Sequence, residues 1–155
     1  MNPIAVDETT PIESLIPHRA PMCLIERLIE ADDEHVLVEA VVPAQGRFVR
    51  DGAMPTWVGI ELMAQAVAAW AGARAQRRGQ PVRLGLLLGT RKYEMRRAAL
   101  PAGARLRIHA RCELLAGNGL GMFECRITLA DEEVASAMLS VYEPADATSL
   151  MEAAS

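Results

Sequence analysis

The chain has 155 residues, 51% of them hydrophobic and 4% aromatic, with a formal net charge of −4. That length suits one domain with a core of aliphatic side chains, and the acidic balance argues against a nucleic-acid binder. Cys23, Cys112 and Cys125 are odd in number and lack metal-ligand spacing, so reduced thiols in a cytosolic protein are expected.

Residues 1–10 are polar, lack the basic-then-apolar pattern of a signal peptide, and read as a flexible N-terminus. Residues 12–16 suit a helical turn that Pro17 ends, because proline disfavours helix in the residue before it. A single domain is expected over 11–144. After the rigid PHRAP segment (17–21), the run MCLIERLIEAD (22–32) reads as a strand. Asp32-Asp33-Glu34 makes a polar turn, and HVLVEAVV (35–42) reads as a strand by its β-branched content. Residues 43–55, with Gly46, Gly52 and two prolines, read as a loop.

The stretch PTWVGIELMAQAVAAWAGA (55–73) predicts a helix. Pro55 suits a first-turn position and Thr56 a cap. Trp57, Ile60, Glu61, Ala64, Val67, Ala68 and Ala71 share one face by their spacing. The opposite face, with Val58, Leu62, Ala66 and Ala69, is also apolar, and a helix apolar all round is expected to be buried all round. Its apolar run of 16 residues, interrupted by Glu61 and Gln65, is shorter than the ~20 that a membrane span needs. Arg74, Arg77, Arg78 and Gly79 suit the helix end.

From Pro81 onward the pattern is strand. LGLLLGTRKYE (84–94) comes first. In 105–115, Leu106, Ile108, Ala110, Cys112 and Leu114 alternate with Arg107, His109, Arg111 and Glu113. Gly117-Asn118-Gly119 predicts a hairpin turn. Residues 121–129 put Phe123, Cys125, Ile127 and Leu129 inward, 134–142 is the last strand, and 145–155 reads as a loose tail. Two strands, a long buried helix and four more strands make an α+β fold, with one curved antiparallel sheet wrapped around a central helix. Joining two such units edge to edge would hide their strand edges.

Glu61 sits among apolar neighbours. Either the helix dipole holds it at a solvent-exposed helix start, or it is desolvated, with a raised pKa suited to acid or base work. Gln65, one turn on, is placed to hydrogen-bond it. His18 lies in a proline-bounded loop, and His35 and His109 read as surface residues. Residues 74–97 hold eight cations (Arg74, Arg77, Arg78, Arg83, Arg91, Lys92, Arg96, Arg97) against one carboxylate, Glu94. In an acidic protein, that block suits either a solvated face or docking of an acidic partner.

Several stretches together carry a family resemblance. LIPHRAPMCLIERL, GIELMAQAVAAWAG, RLGLLLGTRKYE, GMFEC and VASAMLSVYEP resemble the hotdog-fold 3-hydroxyacyl-acyl-carrier-protein dehydratases, and more closely their relatives in aryl-polyene gene clusters. The resemblance spans about residues 16–144. It implies a dimer, possible pairing with a homologous dehydratase, an acyl carrier protein partner and no cofactor beyond the carrier's phosphopantetheine. Glu61-Leu62-Met63-Ala64-Gln65 is similar to the segment that supplies the family's catalytic acid. Fourteen residues earlier, where the family has a catalytic histidine between glycine and phenylalanine, this chain has Gly46-Arg47-Phe48. The family's glycine whose N–H helps hold the thioester oxygen is Thr56 here. The resemblance therefore implies Glu61 as acid, and Arg47, Thr56, Trp57, Val58 and Gln65 as substrate-binding; His18, whose PHRAP context ordinary dehydratases share without using that histidine in catalysis, is either a replacement base or a structural histidine. Arg74, Arg77, Arg78, Arg91, Lys92, Arg96 and Arg97 would dock the carrier. A hotdog thioesterase and a non-catalytic acyl- or carrier-binding subunit are the alternatives.

Overall fold

The computed structural model describes residues 3–7, 9–82 and 85–144. The expected tail at 145–155 and Arg83 lie outside the described residues. One 19-residue helix, α1 (Gly59–Arg77), lies against an antiparallel sheet of six strands in the order β1-β2-β6-β7-β8-β4. The strands are β1 (Arg27–Ala31), β2 (His35–Val41), β4 (Leu86–Met95), β6 (Arg105–Leu115), β7 (Leu120–Leu129) and β8 (Glu132–Tyr142). Two short strands, β3 (Ala53–Pro55) and β5 (Ala99–Pro101), pair separately. This is the α+β hotdog architecture that the sequence led us to expect.

Period-two alternation builds the inner face of the sheet. Val36, Val38 and Ala40 of β2, Leu106, Ile108 and Ala110 of β6, Phe123, Cys125 and Ile127 of β7, and Leu139 of β8 are buried. They meet Leu62, Met63, Ala66, Val67, Ala69, Trp70 and Ala73 of α1, also buried. Trp70 packs edge-on against Phe123 at 5.2 Å, and its Nε1–H donates to Asp32 O at 3.0 Å. The helix ends as expected at Gly79, whose φ of 66° is left-handed and whose N–H donates to Gln76 O.

Four expectations need correction. The strand expected over 22–32 begins only at Arg27, because the Gln65 side chain, rather than a neighbouring strand, holds the backbone at Met22 and Leu24. The loop expected over 43–55 contains β3, a three-residue strand with too little β-branched content to stand out. Leu114 points outward, 49% exposed, because the β6–β7 register shifts between Cys112 and Leu114 and the alternation flips there. The helix is not buried all round either. Ile60, Glu61, Ala64, Ala68 and Ala71 form a half-exposed stripe.

At the N-terminus, Ile4 is buried and its N–H donates to Ala31 O at 2.8 Å. Leu15 and Ile16 are also buried and cross α1 at Gly72, where a Cβ would lie 1.8 Å from Leu15 O. Only glycine permits that crossing, and the crossing delivers Pro17 and His18 to the helix.

Candidate active site

The site forms where the loop after Ile16 meets the first two turns of α1, which carry Glu61 and Gln65. His18 Nε2 lies 3.5 Å from Glu61 Oε1, with the two side chains 27% and 36% exposed. The His18 Nδ1 atom is buried and has no hydrogen-bond partner among the described residues. Gln65, fully buried, organises the pair. Its Nε2 donates to Glu61 Oε1 at 3.0 Å and to Met22 O at 2.7 Å, and its Oε1 accepts the Leu24 N–H at 2.8 Å. One amide thus ties the carboxylate to the backbone segment that follows His18, and Glu61 Oε2 is left free of Gln65. The expectation that Glu61 is desolvated does not hold for the single chain, because Glu61 lies on the half-exposed stripe.

The turn before α1, Thr56–Val58, sits one helical turn from Glu61, with Trp57 on the same face. Thr56 does not cap the helix; its Oγ1 is buried without a partner among the described residues. The Thr56 N–H donates to Ala98 O at 3.0 Å, so it is not free to hold a thioester oxygen as the resemblance implied. Val58 is buried in the core, whereas Trp57 is 58% exposed and packs edge-on to Phe48 at 6.4 Å. Arg47 is exposed on the neighbouring loop, without an ion pair among the described residues. It borders an apolar cavity of about 280 Å³ that Leu24, Val42, Phe48, Met54 and Leu62 also line.

The basic block is not one surface. Arg74, Arg77 and Arg78 stand at the C-terminal end of α1, whereas Arg96 and Arg97 follow β4 next to Ala98, which binds the helix start. A 19-residue helix separates the two ends by about 28 Å. Several of these cations are partnered within the chain: Arg74 lies 4.5 Å over the Trp70 ring, Arg77 pairs with Asp33, Arg96 with Glu133 and Arg97 with Glu132. Arg91 and Lys92 are exposed on β4.

His35 and His109, read from sequence as surface residues, are half-buried together on the outer face of the sheet, with rings 5.5 Å apart. Burial, then the nearby Arg126 and His35, lower the pKa of His109. Among the described residues, no group of three or more His, Cys, Asp or Glu is arranged to hold a metal ion. Sequence reading missed Tyr93, whose O–H donates to Thr56 O. The available signal was Gly59, a poor helix former in the first turn of α1.

A long helix wrapped by one antiparallel sheet is the hotdog fold, and here a carboxylate and a histidine face each other at the helix start. The ApeP-like family model, described as ApeP dehydratase, matches residues 10–152, and the chain belongs to that family. The chain is also similar to a solved structure from Xenorhabdus doucetiae, the dehydratase heterocomplex ApeI:P. The two are 33% identical, with 94% of this chain and 97% of that chain covered and a TM-score of 0.86. A hypothetical thioesterase from Streptococcus pneumoniae, solved with coenzyme A, is 16% identical over 84% of this chain and 89% of that chain, with a TM-score of 0.59. An uncharacterised protein from Pyrococcus horikoshii is 14% identical over 89% and 97%, with a TM-score of 0.64. The last two matches concern the fold alone. No helix among the described residues is long and apolar enough to cross a membrane.

Proposed function

We propose that the protein removes water from a 3-hydroxyacyl thioester, delivered on the phosphopantetheine arm of an acyl carrier protein, in fatty-acid or aryl-polyene type synthesis. The product is the trans-2-enoyl thioester. The observation that carries this reading is the His18–Glu61 pair, held by Gln65, in a member of a dehydratase family. His18 Nε2 takes a proton from C2, next to the thioester carbonyl. Charge moves onto the carbonyl oxygen, where backbone N–H groups at the helix start stabilise it. Protonated Glu61 gives its proton to the C3 hydroxyl, which leaves as water. The new imidazolium then faces the new carboxylate across 3.5 Å and returns the proton, restoring both groups. Elimination changes no oxidation state, so the step asks for no redox group.

A partner chain would close the site from bulk water. Among the described residues β4 pairs with β8 alone and its other edge is open, and Leu87, Leu88 and Met95 are 41%, 57% and 51% exposed. Exposed apolar side chains on an open strand edge are of the kind that marks an interaction surface, and Trp57 and the half-exposed stripe of α1 are likewise uncovered. A second copy or a homologous dehydratase seated there would cover Glu61; the Xenorhabdus relative is a heterocomplex.

The test is incubation, alone and with a co-expressed homologue, with carrier-linked 3-hydroxyacyl and plain acyl thioesters. Loss of water from the hydroxyacyl substrate supports the reading. Release of free thiol from both substrates would replace it with a thioesterase, and binding without turnover would replace it with a non-catalytic subunit.

A further inference from the structure

Tyr93 occupies an unusual place. β4 is an edge strand with most of its residues exposed, yet Tyr93 is half-buried. The β4–β8 register shifts between Arg91 and Glu94, and Lys92 takes a left-handed φ of 54°. Such a bulge re-aims the side chains around it. Here the phenol O–H reaches Thr56 O. A Cβ at Gly59 would lie 2.5 Å from Tyr93 Oη and 2.9 Å from Ile127 Cδ1, so a side chain there would push the phenol from its place. One contact thus accounts for a left-handed lysine in a strand and a glycine in the first helical turn.

We propose that Tyr93 is a positioning residue that aims the Trp57 N–H at the thioester oxygen of the substrate. This rests on the dehydratase reading above. The peptide unit is planar and trans, so its C=O and N–H point in opposite directions. Thr56 O also accepts the Gly59 N–H, and Tyr93 adds a second hold on the same carbonyl and so on the direction of the Trp57 N–H, which belongs to the same peptide unit. A hydrogen bond to the carbonyl also polarises the unit and strengthens its N–H as a donor. The neighbouring Thr56 N–H is already bonded to Ala98 O, so Trp57 carries the next amide along the turn, on the same helical face as Glu61. A cleft of about 330 Å³ between Arg47, Phe48, Pro55 and Trp57 lies beside it. Burial pushes the phenol pKa up to about 12, so Tyr93 stays a donor at neutral pH.

The test is Tyr93→Phe, which keeps the ring over Gly59 and removes only the donor. The Trp57 amide proton resonance should move upfield, because its peptide unit is less polarised, and kcat should fall about tenfold, a fraction of the loss seen when an oxyanion donor is removed outright, with KM little changed. Gly59→Ala should give the same kinetic defect, and the double variant should be no worse. In the unmodified protein, a stable 3-hydroxyacyl-pantetheine amide should shift the Trp57 N–H resonance. If the Trp57 amide resonance is unchanged in Tyr93→Phe, or ignores a ligand that moves the signals of His18 and Glu61, the proposal is overturned. Unmodified protein that dehydrates no 3-hydroxyacyl thioester would sink the dehydratase reading instead, and the two Trp57 measurements would still decide the role of Tyr93.

Discussion

Replacing Gln65 by leucine removes three hydrogen bonds at one buried position while nearly preserving volume. The Leu24 N–H and the Met22 carbonyl lose the side-chain partner that holds them, and Glu61 loses its donor. A buried polar group left without a partner costs about 1–3 kcal/mol. The 22–24 backbone is only partly buried, so water recovers some of that, and about 2–3 kcal/mol is the expected loss for the two groups. For a chain of this size, each kcal/mol lowers Tm by about 2–4 °C. Tm should therefore drop by about 4–12 °C, read by calorimetry or circular dichroism. Amide exchange at Leu24 should accelerate with it, because that N–H would face solvent. Gln65→Glu should be at least as harmful, since it keeps the acceptor for Leu24 but turns the donor end into an oxygen facing Met22 O and Glu61 Oε1. A Tm within about 2 °C of the parent for Gln65→Leu, with Leu24 still protected, would refute the claim that this amide holds the segment together.

Three further outcomes are expected. Glu61→Gln should keep the fold and lower turnover roughly 10²–10⁴-fold; His18→Ala should reach a similar floor and the double variant go no lower, because the pair acts as a unit. If His18→Ala lowers Tm but spares turnover, His18 is structural. Glu39, buried on the outer face of β2, accepts hydrogen bonds from Arg27 and Arg105 at 3.2 Å each. The Arg27 bond, then the charges of Arg27 and Arg105, hold its carboxyl below the ordinary 4.5. The folded state then binds fewer protons than the unfolded one, so this stabilisation is present above about pH 4.5 and is lost as pH falls through the folded value. Glu39→Gln should lower the urea midpoint at neutral pH and converge on the parent in acid; a gap independent of pH would contradict this. Finally, charge reversal at Arg77 and Arg78 should be compared with reversal at Arg96 and Arg97. The set that docks the carrier should slow carrier-linked turnover and reduce its salt sensitivity, while a small pantetheine thioester reacts as before. Equal losses on both substrates for both sets would count against docking.

Local pattern by itself determined much of this protein. Alternating residues over 105–115 and 121–129, the Gly117-Asn118-Gly119 turn and the apolar run after Pro55 are short-range signals. Backbone geometry reads them the same way in most contexts. They were enough to specify an antiparallel sheet around a helix, and to mark Glu61 and Gln65 as misplaced polar groups. Only the tertiary structure decided the rest, because the decisive contacts join residues far apart in the chain. His18 meets Glu61 because Gly72 lets the preceding segment cross the helix. Residues 22–24 leave the strand pattern because a side chain some forty positions away holds them. The basic residues, contiguous in sequence, lie at opposite ends of α1 because the chain runs the length of the helix and returns along β4. Tyr93 reaches Thr56 because a bulge in an edge strand turns it inward. None of these meetings leaves a periodic trace in sequence; each depends on where two distant backbones cross.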